Sequence, residues 1–544
     1  MSRRRITGWA LGVITAALVS AGLWVLAQRG TEATGEAAVT EERIGPVPQD
    51  VCARAQIATP GGWRVAWAAG SPGKVVVTVD GQPGPAYDNM TNLAFSPDGK
   101  QVVFAAATGD KWSVVIDGVP GPRYDGIAEG APVFSPDGKR LAYGAKRGDK
   151  WLVVVDGVPG PKHDAIMEGT AVFSPDGKRV AYGAKSGGKW FVVVDGVPGP
   201  EYDGIENGTP VFSPDGRRVA YGGKSGDKRL VVVDGVLGPQ YDQIAGGSLV
   251  FSLDSKRVAY VAKRGRKWLV VVDGQPGPLY DGIGSRTPVF SPDGKRVGYA
   301  VQRVNKWSMV IDGQPGPEYE SVGGLVLSSD GKRVAYGAKT GNKWAIVLDG
   351  QTGPEYDGIL EGTPVFSPDG KRVAYAAMSG GKWLVVVDSV PGPQYDRIGE
   401  GDPIFSPDGK RLAYGAKSGD KCFAVVDSVP GPEYDEIAEG TPVFSPDGKR
   451  VAYGAKSGDK WFVVADGVPG PEYDYIGQGT LVFSSDGQHL ALSAKKGGKS
   501  FVLVDGRPGP AYDGVVSGPV FLADGSLEYI GVTGNVLYRV KQQP

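Results

Sequence analysis

A five-residue motif, Phe-Ser-Pro-Asp-Gly, returns along this chain at an almost constant interval, and that constancy restricts the possible folds more than any other feature. Its first position falls at Phe95, Phe134, Phe173, Phe212, Phe251, Phe290, Leu327, Phe366, Phe405, Phe444, Phe483 and Phe521. Nine of the eleven intervals are 39 residues, one is 37 and one is 38. An earlier degenerate unit, Ala58-Thr59-Pro60-Gly61-Gly62-Trp63-Arg64-Val65-Ala66-Trp67, aligns with the segment from Phe173 to Tyr182, which makes thirteen units. The last unit lacks its final quarter. A period of this length indicates a solenoid, an array or a propeller.

Within the unit that starts at Thr209, a short apolar run ends in Ser213-Pro214-Asp215-Gly216, a turn with proline preset at its second position. Residues 217–224 alternate in the manner of a strand, 225–227 form a hairpin tip, and Leu230 to Val233 is rich in β-branched side chains. Asp234-Gly235 closes that run, and Gly238-Pro239 leads to a fourth short strand at 240–244. Four short antiparallel strands per unit exclude a helical solenoid. The second and third strands are apolar on both faces, as in Trp190-Phe191-Val192-Val193-Val194, and a sheet buried on both sides needs a neighbour on both sides. Radially stacked blades supply this, and the small residues Ala181, Gly183 and Ala184 let adjacent sheets approach. The fold expected is an all-β propeller of thirteen four-stranded blades.

The segment Phe-Ser-Pro-Asp-Gly-Lys-Arg-Val-Ala-Tyr resembles the WD40-like, TolB-type (PD40) propeller repeat, over residues 58 to about 541. The resemblance implies that this segment runs from the innermost strand of a blade into the second. It implies a fold and not an activity. The chain departs from WD40 proper in ending its third strand with Val-Asp-Gly or Val-Asp-Ser in place of Trp-Asp. Thirteen units exceed the usual four to eight blades of one ring, so two tandem rings of seven and six are expected. The 37-residue interval places the break near 320–324, giving 46–323 and 324–541. The stretch 45–51 has the spacing of a fourth strand and is expected to close the last blade, removing an open edge.

Ahead of the repeats, Arg3-Arg4-Arg5 precedes 22 residues without charge, 6–27. At about 1.5 Å per residue these span about 33 Å, enough to cross a bilayer core. The arginines place 1–5 in the cytoplasm and everything after the span outside it, with 28–45 as a polar linker. A cleaved signal peptide, with Val25-Leu26-Ala27 at its cleavage site, is the alternative. Either way the repeats are periplasmic or extracellular.

A net charge of −1 argues against a nucleic-acid partner. Two cysteines, Cys52 and Cys422, cannot build a disulfide framework, and two histidines, His163 and His489, leave little material for metal or acid–base chemistry. The repeated aspartate of the turn (Asp98, Asp137, Asp176, Asp215) reads as a turn residue and not as a calcium ligand. Trp112, Trp151, Trp190, Trp268, Trp307, Trp344, Trp383 and Trp461 open the third strand and read as packing between blades; Arg229, Cys422 and Ser500 stand at that position in three units. No Gly-x-Ser-x-Gly nucleophile motif occurs. No catalytic residue, cofactor or metal is therefore expected.

One face is expected to combine the hairpin tips, with Lys224, Lys228, Lys456 and Lys460, and acidic loops near the central opening, with Glu129, Glu168, Glu206, Glu361, Glu400 and Glu439. This face is the expected docking surface for a protein, peptide or cell-envelope partner. The functional expectation is a membrane-anchored, non-enzymatic binding platform. Alternatives are an exported glycan hydrolase or lyase using carboxylates near a propeller axis, and a purely structural repeat array.

Overall fold

The computed structural model describes residues 39–544, apart from 48–50, 60–61, 72, 131, 168, 170, 207, 209, 286, 400–402 and the side chains of 52–59. The expected anchor at 6–27 lies outside the described residues. Among those described, no helix is long and apolar enough to cross a membrane.

Thirteen antiparallel sheets follow one another along the chain, one per repeat, and form a thirteen-bladed β-propeller. Blade 3 is representative. Its inner strand comes in two pieces, Gly126–Ile127 and Val133–Phe134, followed by Leu141–Arg147, Lys150–Val155 and an outer strand that begins at Val158–Pro159. The turn from inner to second strand is held by its own side chains. Ser135 Oγ donates to Asp137 at 2.6 Å and accepts from the Arg140 amide at 2.9 Å. Gly138 is required there twice over. Its φ is +72°, and an added Cβ would lie 2.8 Å from the Asp98 carboxylate of the preceding blade.

Each blade buries both faces. Leu141, Tyr143, Leu152 and Val154 pack on Val103, Val114 and Tyr124 of blade 2, while Val153 packs on Tyr182 and Phe191 of blade 4. Arginine after the turn joins blades on one side of the ring. Arg218 donates to its own Asp234 at 2.8 Å and to the Lys256 carbonyl of the next blade at 2.6 Å, and stacks 5.3 Å from the Phe251 ring centre.

The chain ends close the ring. Val39–Pro46 pairs antiparallel with Val536–Gln542, from Val39 opposite Gln542 to Pro46 opposite Val536, and supplies the outer strand of blade 13. The closing strand thus lies a few residues before the 45–51 stretch expected, and it occupies the end of the expected 28–45 linker. Ile44, Ile530 and Leu537 of blade 13 share a core with Val65 and Trp67 of blade 1.

The division into seven and six blades at 323/324 does not appear. Residues 38–544 form one compact unit. Met309 of blade 7 packs with Tyr319, Leu327, Val334 and Tyr336 of the blade 7/8 junction, and Arg296 reaches the Lys332 carbonyl of blade 8 at 3.2 Å. The short interval has a local cause. In blade 8 the inner strand runs unbroken over Ser321–Leu327, as it does over Asn89–Phe95 in blade 2, and is two residues shorter than the divided inner strand of blade 3.

Candidate functional site

The structure separates eight of the ten candidate loop-face residues into groups with different duties. Lys228 and Lys460 are clamps. Lys228 Nζ donates to Asp242 at 2.5 Å and Lys460 Nζ to Asp474 at 2.6 Å. The other Asp242 oxygen accepts from the Gly265 amide of the following hairpin, so the carboxylate bridges adjacent blades. The lysine hydrogen bond holds the Asp242 carboxyl below its ordinary range, with help from the Gly265 amide. Lys456 lies over the Trp461 ring at 5.6 Å and within 3.9 Å of Glu436. Lys224 pairs across strands with Arg229, and Arg229 binds Glu206 at 2.6 Å. Glu129, Glu361 and Glu439 are exposed, in the bulges between the two pieces of the inner strand. Glu168 and Glu400 lie outside the described residues. Glu129, Glu361 and Glu439 thus lie in inner-strand bulges.

The third-strand tryptophan occupies a seat between its own blade and the next. Trp268 and Trp383 pack on the cores shared with the following blade, and Trp461 is buried in the core it shares with blade 12. The indole spans the blade from its third strand to its inner strand. Trp344 passes 3.8 Å from the would-be Cβ of Gly337 on the second strand, and Trp307 passes 3.3 Å from that of Gly284 on the inner strand. A lysine of the second strand covers the ring in blades 3, 4, 6, 8 and 11, between 5.3 and 6.0 Å from its centre.

Five blades lack this tryptophan, and they divide sharply. Val75 in blade 1 and Leu537 in blade 13 fill the seat with buried aliphatic side chains. Arg229 fills it in blade 5 by pairing with Glu206. In blades 10 and 12 the seat holds Cys422 and Ser500, and there it stands open.

A cavity of about 560 Å³ lies between blades 10 and 11, lined by Gly399, Gly415, Lys417, Cys422, Ala438 and Gln478 among others. The corresponding region between blades 3 and 4, lined by Ala128, Gly144, Ile166 and Met167 among others, keeps only about 20 Å³. Smaller residues at three positions account for the difference, one of them Ala438 in place of Met167. Cys422 replaces the indole, and Gly399 stands where blade 3 has Ala128. In blade 3 the Ile166 side chain of the next blade crosses to Gly144, but Ile437 makes no such approach to Gly415. Cys422 carries a free thiol.

The second open seat, about 630 Å³ between blades 12 and 13, is lined by Gln478, Thr480, Ser493, Lys495, Ser500 and Ser517 with their neighbours. Its floor is hydroxylic. Thr480 Oγ1 accepts from the Ser493 amide at 3.1 Å and hydrogen-bonds the Ser493 hydroxyl at 3.2 Å. Gln478, in the bulge of blade 12, borders both cavities.

A third cavity, about 820 Å³, surrounds Trp63, Arg64, Asp80, Asp98 and Arg539 where the ring closes. Its charges serve the seam: Arg64 binds Asp80 at 2.8 Å and Arg539 binds the same carboxylate at 3.0 Å. Glu528, whose burial pushes its carboxyl above the ordinary range, also lies in this seam and accepts from the Trp63 amide. Among the described residues no group of three or more His, Cys, Asp or Glu side chains is placed to hold a metal ion.

No protein-family model and no curated protein matches the chain. Among solved structures it is similar in part to a eukaryotic initiation factor (13% identity over 68% of this chain and 98% of that one, TM-score 0.30). It is similar to the Dos1 propeller (11% identity, 57% and 94% covered, TM-score 0.24) and to TolB from Acinetobacter baumannii (18% identity, 48% and 61% covered, TM-score 0.19).

Proposed function

We propose that this protein is an exported, membrane-tethered β-propeller of the TolB-type repeat class that binds a protein, peptide or cell-envelope partner without chemistry, through the open seats of blades 10 and 12. The observation that carries this reading is the contrast among blades. Eleven seats are filled by an indole, an aliphatic side chain or an ion pair, and two are open beside a shared Gln478. A repeat protein gains a site where one unit departs from the others, because the remaining units are committed to holding the ring. The hairpin lysines and turn arginines are so committed, in clamps between blades. The tether rests on the arginines at 3–5 and the uncharged run 6–27.

The test is site-specific photo-crosslinking in intact cells, with p-benzoylphenylalanine at Gln478 or at Val236, an exposed position on the outer strand of blade 5. The expected result is a discrete adduct from position 478 and none from 236. Equal adducts at both positions, or none at 478, would overturn the proposal.

A further inference from the structure

We propose that the Cys422 seat receives an aromatic side chain, an indole above all, presented by a partner polypeptide; this rests on the binding reading above. The ring itself shows what the seat is shaped to hold. Eight blades place a tryptophan in the equivalent position, and blade 10 retains the second-strand lysine and glycine of that setting.

Lys417 pairs across strands with Cys422 just as Lys146 pairs with Trp151 and Lys456 with Trp461. It is therefore placed to cover a ring as those lysines do, a cation over an aromatic face. Gly415 keeps the second-strand glycine over which the indole passes in blade 8, and Gly399 is smaller than the alanine of blade 3. Ala438 lines the blade 11 wall, where blade 4 has the larger Met167. The cavity of about 560 Å³ lies within the range of small-ligand pockets. It runs along the bulge 438–442 to Gln478, which gives an extended chain somewhere to lie on either side of the inserted ring.

The Ser500 seat does not share this character. Ser493 replaces the second-strand glycine, and its hydroxyl would sit 2.0 Å from a Cβ built on Gly477. The space an indole would cross is already taken by the hydroxyl pair of Ser493 and Thr480. Blade 10 thus offers an aromatic seat and blade 12 a hydroxylic one.

The experiment uses full-length protein in detergent and follows alkylation of Cys422 by iodoacetamide, read by peptide mass spectrometry. The probes are end-blocked Gly-Gly-Trp-Gly-Gly, the same peptide with leucine in place of tryptophan, and N-acetyltryptophanamide. The tryptophan peptide is expected to slow alkylation in a saturable way, binding about five- to tenfold more tightly than the leucine peptide. Lys417→Met is expected to remove most of that preference. Cys422→Trp, which fills the seat from within, is expected to abolish peptide binding in a calorimetric titration; Ser500→Trp leaves it unchanged. Equal protection by the leucine peptide, or none by either, would overturn the proposal. Equal affinity for N-acetyltryptophanamide and the tryptophan peptide would overturn a polypeptide source in favour of a free aromatic compound. If position 478 still yields its adduct while the tryptophan peptide fails to protect Cys422, this inference falls and the binding reading stands. Loss of both results removes the two together.

Discussion

Arg539 is the residue on which closure of the ring depends most heavily, and replacing it by methionine gives a sharp test of the seam. Its Nε donates to the Trp63 carbonyl of blade 1 at 2.7 Å, and its two terminal nitrogens reach Glu42 at 2.6 Å and Asp80 at 3.0 Å. It also lies 3.7 Å from the carboxylate of Glu528, which is only 3% exposed. Arg539→Met removes the cation nearest that buried carboxylate, whereas Asp80 keeps Arg64. Breaking a buried pair from one side costs about 3–5 kcal/mol, and the remaining partners place this case near the lower end, about 3 kcal/mol. Arg218→Met at an internal junction is the control. There the arginine and Asp234 are 30% and 39% exposed, so the cost is about 1 kcal/mol. The pH dependence has a definite sign. Burial raises the Glu528 carboxyl above its unfolded value, so the folded state takes up a proton first as pH falls, and protonation relieves the uncompensated charge. The penalty of Arg539→Met should therefore shrink as pH falls from 7 toward the carboxyl range. Urea denaturation followed by tryptophan fluorescence measures both. A cost no greater than that of Arg218→Met, or one independent of pH, would refute the reasoning.

Exchanging the occupants of the third-strand seat should act in opposite directions: Cys422→Trp stabilises by about 1–2 kcal/mol by filling the cavity, and Trp383→Cys costs about 2–3 kcal/mol by opening one, both read from thermal denaturation. The clamp aspartates give an acid limit. Lysine hydrogen bonds hold Asp203, Asp242 and Asp435 below the ordinary carboxyl range, and Ser406 takes Asp408 down to about 2. The unfolded chain then binds protons first as pH falls, so calorimetry should show stability present above about pH 4 and lost below it. Buried tyrosines set the alkaline side. Burial pushes Tyr299 and Tyr336 up to about 12, so absorbance at pH 11 should show them still protonated, and stability should decline above about pH 10 as the unfolded chain ionises.

The repeat made the blades legible because each turn carries its own chemistry: Ser135, Asp137 and Gly138 build the same hairpin wherever they recur. Interblade packing of the tryptophans followed from an apolar strand with two buried faces. Ring number did not, because the Arg296 contact across 323/324 repeats the one that Arg218, Arg257, Arg333 and Arg372 make at other junctions. The 37-residue interval suggests a boundary, yet it records a shorter bulge in the inner strand of blade 8, of the kind blade 2 also has. Lys228 and Lys460 looked like surface charge because their partners, Asp242 and Asp474, lie 14 residues on, past the outer strand. The departures at Arg229, Cys422 and Ser500 are visible in the sequence as replacements of the recurrent tryptophan. Telling the filled seat from the two open ones required knowing that Glu206 stands beside Arg229 and that nothing equivalent stands beside Cys422.

Closure of all thirteen blades into one ring underlies the whole account, since it forms the seam at Arg539 and sets the blade 10 and 12 seats on the same series of inner strands. Two-dimensional class averages of the full-length protein by electron microscopy count the petals directly. One closed ring of thirteen is the result predicted; two discs of seven and six would contradict it, because blade 13 could not then meet blade 1.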